Sequence, residues 1–233
     1  MNSKKYFVVV AGGSGSRMGG DLPKQFLHLK GVPILRRTIQ TLNAACPDAT
    51  VITVLPEEYM DYWRNYCIEK EFHIKQILVA GGISRFHSVR EALSHVPDGA
   101  IVAIHDGVRP LVSVDLVRRM AAMMDDHRAV IPVLPCVDTL KVLERGADGS
   151  LTEDEGTILD RSRIFGAQTP QFFRSEDIKA AYRAAYDLRF TDDASVAAAK
   201  KIPLSFTEGE RYNLKITTAE DMVLAEAILN LRS

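Results

Sequence analysis

Apolar and polar positions follow two rhythms along this chain. Short, nearly unbroken apolar runs occupy residues 7–10, 51–55, 77–80, 101–104 and 129–134. Runs of this length, rich in Val and Ile, predict strands buried on both faces. Amphipathic stretches separate them at 34–42, 57–70, 84–95 and 114–124. In the first of these, Ile34, Leu35, Thr38, Ile39 and Leu42 recur at helical spacing, and Pro33 suits an opening turn. Strands alternating with helices predict a parallel sheet covered by helices, with ligands beyond the carboxyl ends of its strands.

The alternation breaks after Leu134. Residues 137–143 and 151–159 read as strands on either side of a polar segment, and Asp148-Gly149 is a hairpin turn signal. Residues 136–165 are therefore expected to form a projecting β-arm. A two-stranded arm is marginally stable by itself, so packing against a second copy, a homodimer, is expected. Helices then follow at 176–187 and 192–200, a strand at 202–206, and a closing helix at 219–231 with Thr218 as its cap. With no repeat or linker, residues 1–233 read as one domain carrying the arm.

Composition narrows the function classes. The 233 residues are 46% hydrophobic and 25% charged, with a formal net charge of -1. That balance fits a globular protein large enough for a sizeable core and offers no basic footprint for nucleic acid or an anionic membrane. An anionic ligand has to be met by local cations. The 3 cysteines, Cys46, Cys67 and Cys136, have no metal-site or disulfide-framework spacing. Neither a signal-peptide core nor a membrane-length apolar run is present. A cytoplasmic location is expected, without nucleic acid or membrane partners.

The chemistry concentrates where strands end. Residues 7–10 run into Ala11, Gly12, Gly13, Gly15, Gly19 and Gly20, with Arg17 and Lys24 in or just after that loop. Glycines let the backbone turn tightly and bring its amides against phosphate, and two cations reinforce those amides. A polyphosphate is the expected guest. A dinucleotide fingerprint fails because Met18 stands at its third glycine and no acidic residue follows at the ribose position. A P-loop is absent too, since Lys24 follows Pro23. Gly81-Gly82 ends the third run and His105-Asp106 the fourth. Asp106 is the metal candidate, because a carboxylate beside a polyphosphate calls for an intervening cation, and Mg²⁺ takes one or two carboxylates with phosphate oxygens. His105 reads as a hydrogen-bonded structural histidine.

Taken in order, AGGSGSRM with LPKQF, GG-x-x-R-x-x-S-V from 81 to 89, HDGVRP from 105, DTLK from 138, TPQ from 169, TDDAS from 191 and NLKIT from 213 form a pattern. It resembles the 2-C-methyl-D-erythritol 4-phosphate cytidylyltransferase family of the non-mevalonate isoprenoid route. The resemblance implies an α/β fold, a Rossmann-like mostly parallel sheet flanked by helices, with a dimerising β-arm. It also implies transfer of CMP from CTP to a polyol phosphate, with Mg²⁺ or another divalent cation. Arg17 and Lys24 are then expected to stabilise the transition state at the α-phosphate. Ala11, Gly12, Gly13, Gly81, Gly82, Ser88 and Asp106 are expected to contact the nucleotide. Arg109, Thr139, Arg161 and Lys215 are expected to position the acceptor, Thr139 coming from the partner's arm and Arg161 and Lys215 counting among the catalytic residues. The chain departs from the family at Gly12, at Gly107-Val108 and at Ile83, where many members carry a polar residue. Related readings stay open: a ribitol 5-phosphate cytidylyltransferase, disfavoured by Lys141 in DTLK and by Asp193-Ala194-Ser195, and a catalytically silent nucleotide-binding regulator.

Overall fold

The structure is a computed structural model and describes residues 3–13, 22–153 and 159–232. In chain order its elements are β1 (Lys5–Val10), β2 (His28–Leu29), β3 (Val32–Pro33), α1 (Ile34–Ala45), β4 (Thr50–Leu55), α2 (Met60–Glu69), β5 (Gln76–Ala80), α3 (Arg85–Leu93) and β6 (Ile101–Asp106). There follow α4 (Val114–Met123), β7 (Ala129–Pro135), β8 (Leu143–Arg145), β9 (Leu151–Glu153), β10 (Phe165–Ala167), β11 (Gln171–Arg174), α5 (Ser175–Ala181), α6 (Asp193–Ala199), β12 (Ser205–Glu208) and α7 (Ala219–Arg232). One-turn 3₁₀ helices sit at Lys24–Phe26, Glu57–Tyr59 and Arg161–Arg163.

An 8-stranded sheet holds the molecule together. β1 lies between β4 and β6, all parallel, and β5 extends the parallel set beyond β4. Register puts Val10 opposite both Val54 and Asp106, so these strands end at one level. β11 runs antiparallel between β6 and β7, β10 pairs antiparallel with β7, and β12 pairs parallel with β7.

Period-two alternation in the strands creates two cores. Phe7 and Val9 of β1 pack with Leu35, Ile39, Trp63, Leu116 and Met120 from α1, α2 and α4. Val8 between them faces Phe86, Val89, Ile178 and Val196 from α3, α5 and α6. A third cluster of Leu29, Ile34, Val108, Leu111, Ile216, Ala225 and Ile228 seats α7 against the loop after β6.

Several expected boundaries shift. The helix expected at 176–187 stops at Ala181, where the chain tightens as Ala184 N–H donates to the Ala181 carbonyl. The strand expected at 202–206 runs instead over Ser205–Glu208: Lys201 turns the chain at φ 57 and pairing with Val130 to Val133 sets the register. In the arm, β8 and β9 are only 3 residues each, joined through Gly149 at φ 85, and residues 154–158 of the expected second strand lie outside the described residues.

Candidate active site

The carboxyl ends of β1 and β6 and the loop after β5 open into a cavity of about 440 Å³. Its wall includes Ala11, Gly12, Gly13, Lys24, Gly82, Ile83, Arg85, Ser88, Asp106 and Lys215. Arg17 lies outside the described residues.

Backbone dominates one side of the cavity. Gln25, 1% exposed behind the glycine loop, donates from Nε2 to the carbonyls of Ala11 at 2.7 Å and Gly13 at 3.2 Å. The loop is thereby tied from beneath, and Lys24 beside it is carried to the cavity wall by the 3₁₀ turn after Pro23. Among the described residues, a Cβ built on Gly13 would meet no atom within 4 Å. On the opposing loop a Cβ on Gly82 would lie 2.5 Å from that of His87, so no side chain fits there. Gly82 N–H donates to Ser88 Oγ at 3.0 Å, which locks that loop onto α3. Ser84 caps α3 by accepting from His87 N–H. Ser88 itself lies a turn inside the helix and its N–H donates to the Ser84 carbonyl at 3.0 Å. What Ser88 offers a ligand is therefore its hydroxyl and not a free amide.

The other side is charged. Asp106, 6% exposed at the end of β6, faces three cations. Its Oδ1 lies 3.4 Å from Arg85 Nε, and its Oδ2 lies 3.3 Å from Arg109 Nε and 3.0 Å from Lys215 Nζ. Burial raises the carboxyl's pKa, but Arg85, Lys215 and Arg109 together override it and hold the group ionised well below the usual carboxylate range. Each cation is also fixed elsewhere. Arg109 donates from NH1 to the Asn213 carbonyl at 2.8 Å. Lys215 is placed by its neighbour Ile216, fully buried, whose N–H donates to the Val108 carbonyl at 2.9 Å.

The remaining motif residues brace this cluster. Thr169 Oγ1 accepts from Asp106 N–H at 3.1 Å and bonds His105 Nδ1 at 2.9 Å, while His105 Nε2 meets the Arg109 carbonyl at 3.2 Å. Fully buried, the His105 imidazole has its pKa pushed down to about 4 by desolvation. It is a neutral strut, as the sequence reading held. Gln171 Nε2 donates to Asp192 Oδ2 at 2.8 Å and its Oε1 accepts from Ala194 N–H at 2.8 Å, tying the TPQ and TDDAS segments together.

Geometry thus brings Ala11, Gly12, Gly13, Gly82, Ser88, Lys24, Asp106 and Lys215 to one cavity, with Gly81 next to Gly82 and Arg109 bound to Asp106. Thr139 and Arg161 stand apart from that wall. Both are exposed on the arm, and Arg161 NH1 donates to the Val137 carbonyl at 3.0 Å. Arg85 and Gln25 were given no role from sequence, although the GG-x-x-R-x-x-S-V and LPKQF strings contain them.

Comparison with known proteins identifies the family. Residues 6–231 match the family model of IspD, 2-C-methyl-D-erythritol 4-phosphate cytidylyltransferase. The chain is 42% identical over 231 residues to the protein of that name from Porphyromonas gingivalis, covering 98% of this chain and 99% of the relative. The protein of that name from Bacteroides thetaiotaomicron is 40% identical, covering 97% and 100%. Among solved structures, 4-diphosphocytidyl-2C-methyl-D-erythritol synthase from Anaerococcus prevotii superposes with TM-score 0.79 at 25% identity, covering 98% and 97%. The Francisella tularensis 2-C-methyl-D-erythritol 4-phosphate cytidylyltransferase gives 0.78 at 27%, covering 97% and 99%. Full-length agreement, joined to a glycine-lined cavity faced by a cation-bound Asp106, places the chain in the 2-C-methyl-D-erythritol 4-phosphate cytidylyltransferase family.

Proposed function

We propose that this protein transfers CMP from CTP to 2-C-methyl-D-erythritol 4-phosphate, forming 4-diphosphocytidyl-2-C-methyl-D-erythritol and pyrophosphate. A phosphate oxygen of the acceptor bonds to the α-phosphorus of CTP, and the bond from that phosphorus to the β-phosphate bridging oxygen breaks. The observation that carries this reading is the pairing, in one cavity, of bare glycine backbone with Lys24, Arg85 and Lys215. Transfer of this kind asks little covalent work of the protein, so positioning and charge stabilisation dominate. The glycine loops suit the base and triphosphate, and Ser88 adds a hydroxyl. Lys24, with Arg17, serves the α-phosphate; Lys215 and Arg109 orient the acceptor.

The donor chemistry fits a divalent ion such as Mg²⁺ held chiefly by the triphosphate. Among the described residues lining the cavity Asp106 is the one carboxylate, and no cluster of three His, Cys, Asp or Glu side chains is present among the described residues. Mg²⁺ commonly takes one or two carboxylates with phosphate oxygens and water. Such an ion would supply neutralising charge to the triphosphate, and Asp106 is the residue that would hold it.

The reading includes a homodimer in which Thr139 and Arg161 serve the partner's site, supported by their exposure on a thin arm. The reading includes a cytoplasmic location; among the described residues no helix is long and apolar enough to cross a membrane.

A pyrophosphate-release assay with CTP and a panel of acceptors tests the proposal. Methylerythritol 4-phosphate is expected to support turnover, with ribitol 5-phosphate and glucose 1-phosphate near background. Faster turnover with ribitol 5-phosphate would reassign the acceptor.

A further inference from the structure

Asp193 opens α6 with 0% exposure, yet it is a carboxylate. A charge so deeply buried persists only when paired and hydrogen-bonded. Its Oδ1 accepts from Arg85 NH1 at 2.9 Å and from the Tyr182 hydroxyl at 2.6 Å, and its Oδ2 accepts from Arg85 NH2 at 2.7 Å. A two-pronged contact fixes the plane of a guanidinium as well as its position, which a single contact does not. The third edge of the same guanidinium, Nε, faces Asp106 Oδ1. Arg85 therefore spans two carboxylates, one fully buried and one at the cavity.

An ion pair that merely fastened α3 to α6 would need only the Asp193 side of this arrangement. Two further facts point beyond fastening. Arg85 lines the cavity, and the carboxylate it touches there is shared with Arg109 and Lys215. Arg85 is also the first residue of α3, the helix whose Ser88 holds Gly82. With its fork held by Asp193, Arg85 gives Asp106 one long contact and leaves Oδ2 to Arg109 and Lys215. Released from Asp193, the fork would turn to Asp106 and compete with both.

We propose that Asp193 is a positioning residue for CMP transfer, fixing Arg85 and through it the orientation of Asp106, Arg109 and Lys215. This rests on the site reading above. The direct test is Asp193→Asn, alone and combined with Asp106→Asn, with kcat and the KM for CTP measured for each. Asparagine keeps the volume and an acceptor for Tyr182 while removing the charge. Alone it is expected to lower kcat about tenfold to a hundredfold, the scale of a small misplacement of reacting groups, with little change in KM. In the Asp106→Asn background the further loss is expected to shrink to less than about twofold, because the two act as one unit. Equal proportional losses in both backgrounds would overturn the proposal and leave Asp193 a fold-holding residue. Unchanged turnover for Asp106→Asn alone would instead count against the site reading. If Asp193→Asn fails to fold or Asp106→Asn leaves no turnover, Arg85→Lys decides, since it keeps charge and loses the fork. Lower kcat at constant KM supports the proposal, and a raised KM with intact kcat overturns it.

Discussion

Lys24, His105 and Asp106 show how neighbouring residues in one motif-rich region divide into different kinds of work. Lys24 reaches the cavity wall beside exposed glycine backbone, and the proposed reaction would give it a developing phosphate charge to stabilise there. Lys24→Ala is expected to cut kcat by about 10² or more, the usual scale for one electrostatic donor, with the fold retained. Steady-state pyrophosphate release reads this out, and undiminished turnover would remove Lys24 from the reacting set. His105 does structural work instead. Its imidazole titrates at about 4 in the folded protein against 6.5 in an unfolded chain. Below pH 6.5 the unfolded chain takes up a proton that the folded site refuses. His105 therefore contributes stability that is full above pH 6.5 and declines as pH falls toward 4, on the order of 3 kcal/mol in all. Denaturant unfolding across that range is expected to show a shallower slope for His105→Asn than for the native protein. Identical slopes would show that this imidazole is not the titrating group. At this scale the sequence singled out residues in recognisable strings, Gly12, Gly13 and Asp106 where strands end, and Lys215 in what the structure shows to be the loop between β12 and α7. Arg85 was not legible, because its partner Asp193 lies 108 positions away and only the fold reveals that they meet.

Among the elements, the parallel strands were easiest to read because burial on both faces leaves a continuous apolar run in each, as in residues 7–10 and 101–104. β10 and β11 were missed as sheet members. Phe165–Ala167 is exposed throughout, and Gln171–Arg174 carries polar ends, so neither has the apolar signature of its neighbours. Their places come from pairing with β6 and β7, a long-range effect that no local pattern encodes. The arm was anticipated from its turn residues, although its described paired segments are shorter than the pattern suggested. Among the described residues β8 and β9 pair with each other alone, and Val137, Leu140, Leu143, Leu151 and Leu159 are exposed along the arm. Two such short strands lack the burial that independent stability requires. Deleting residues 138–159 is accordingly expected to convert a dimer into an inactive monomer, read by sedimentation velocity and the same turnover assay. A deletion that stays fully active as a monomer would refute a shared site.

For the molecule as a whole, charge is organised locally against a neutral background. The formal net charge is -1, yet Lys24, Arg85 and Lys215 share one cavity wall, and Arg109 joins the last two around Asp106. The two cores on either face of the sheet hold β1, β4 and β6 in register, so their ends present glycine backbone and that cluster at one level. The third core seats α7 and the loop carrying Lys215 against the segment after Asp106. The fold class follows from that architecture and was readable in the alternation of strands and helices, which also pointed to the carboxyl ends of the strands as the place for a ligand. The acceptor was readable only through family resemblance, since no spacing or periodicity distinguishes one polyol phosphate from another.

A crystal structure of the protein with CTP and Mg²⁺ tests the central claim most directly. The account predicts the cytosine and triphosphate in the cavity at the end of β1, with the Gly12–Gly13 and Gly82 backbone and Lys24 within hydrogen-bonding distance of the nucleotide. A nucleotide bound elsewhere on the molecule, with that cavity left open, would contradict it.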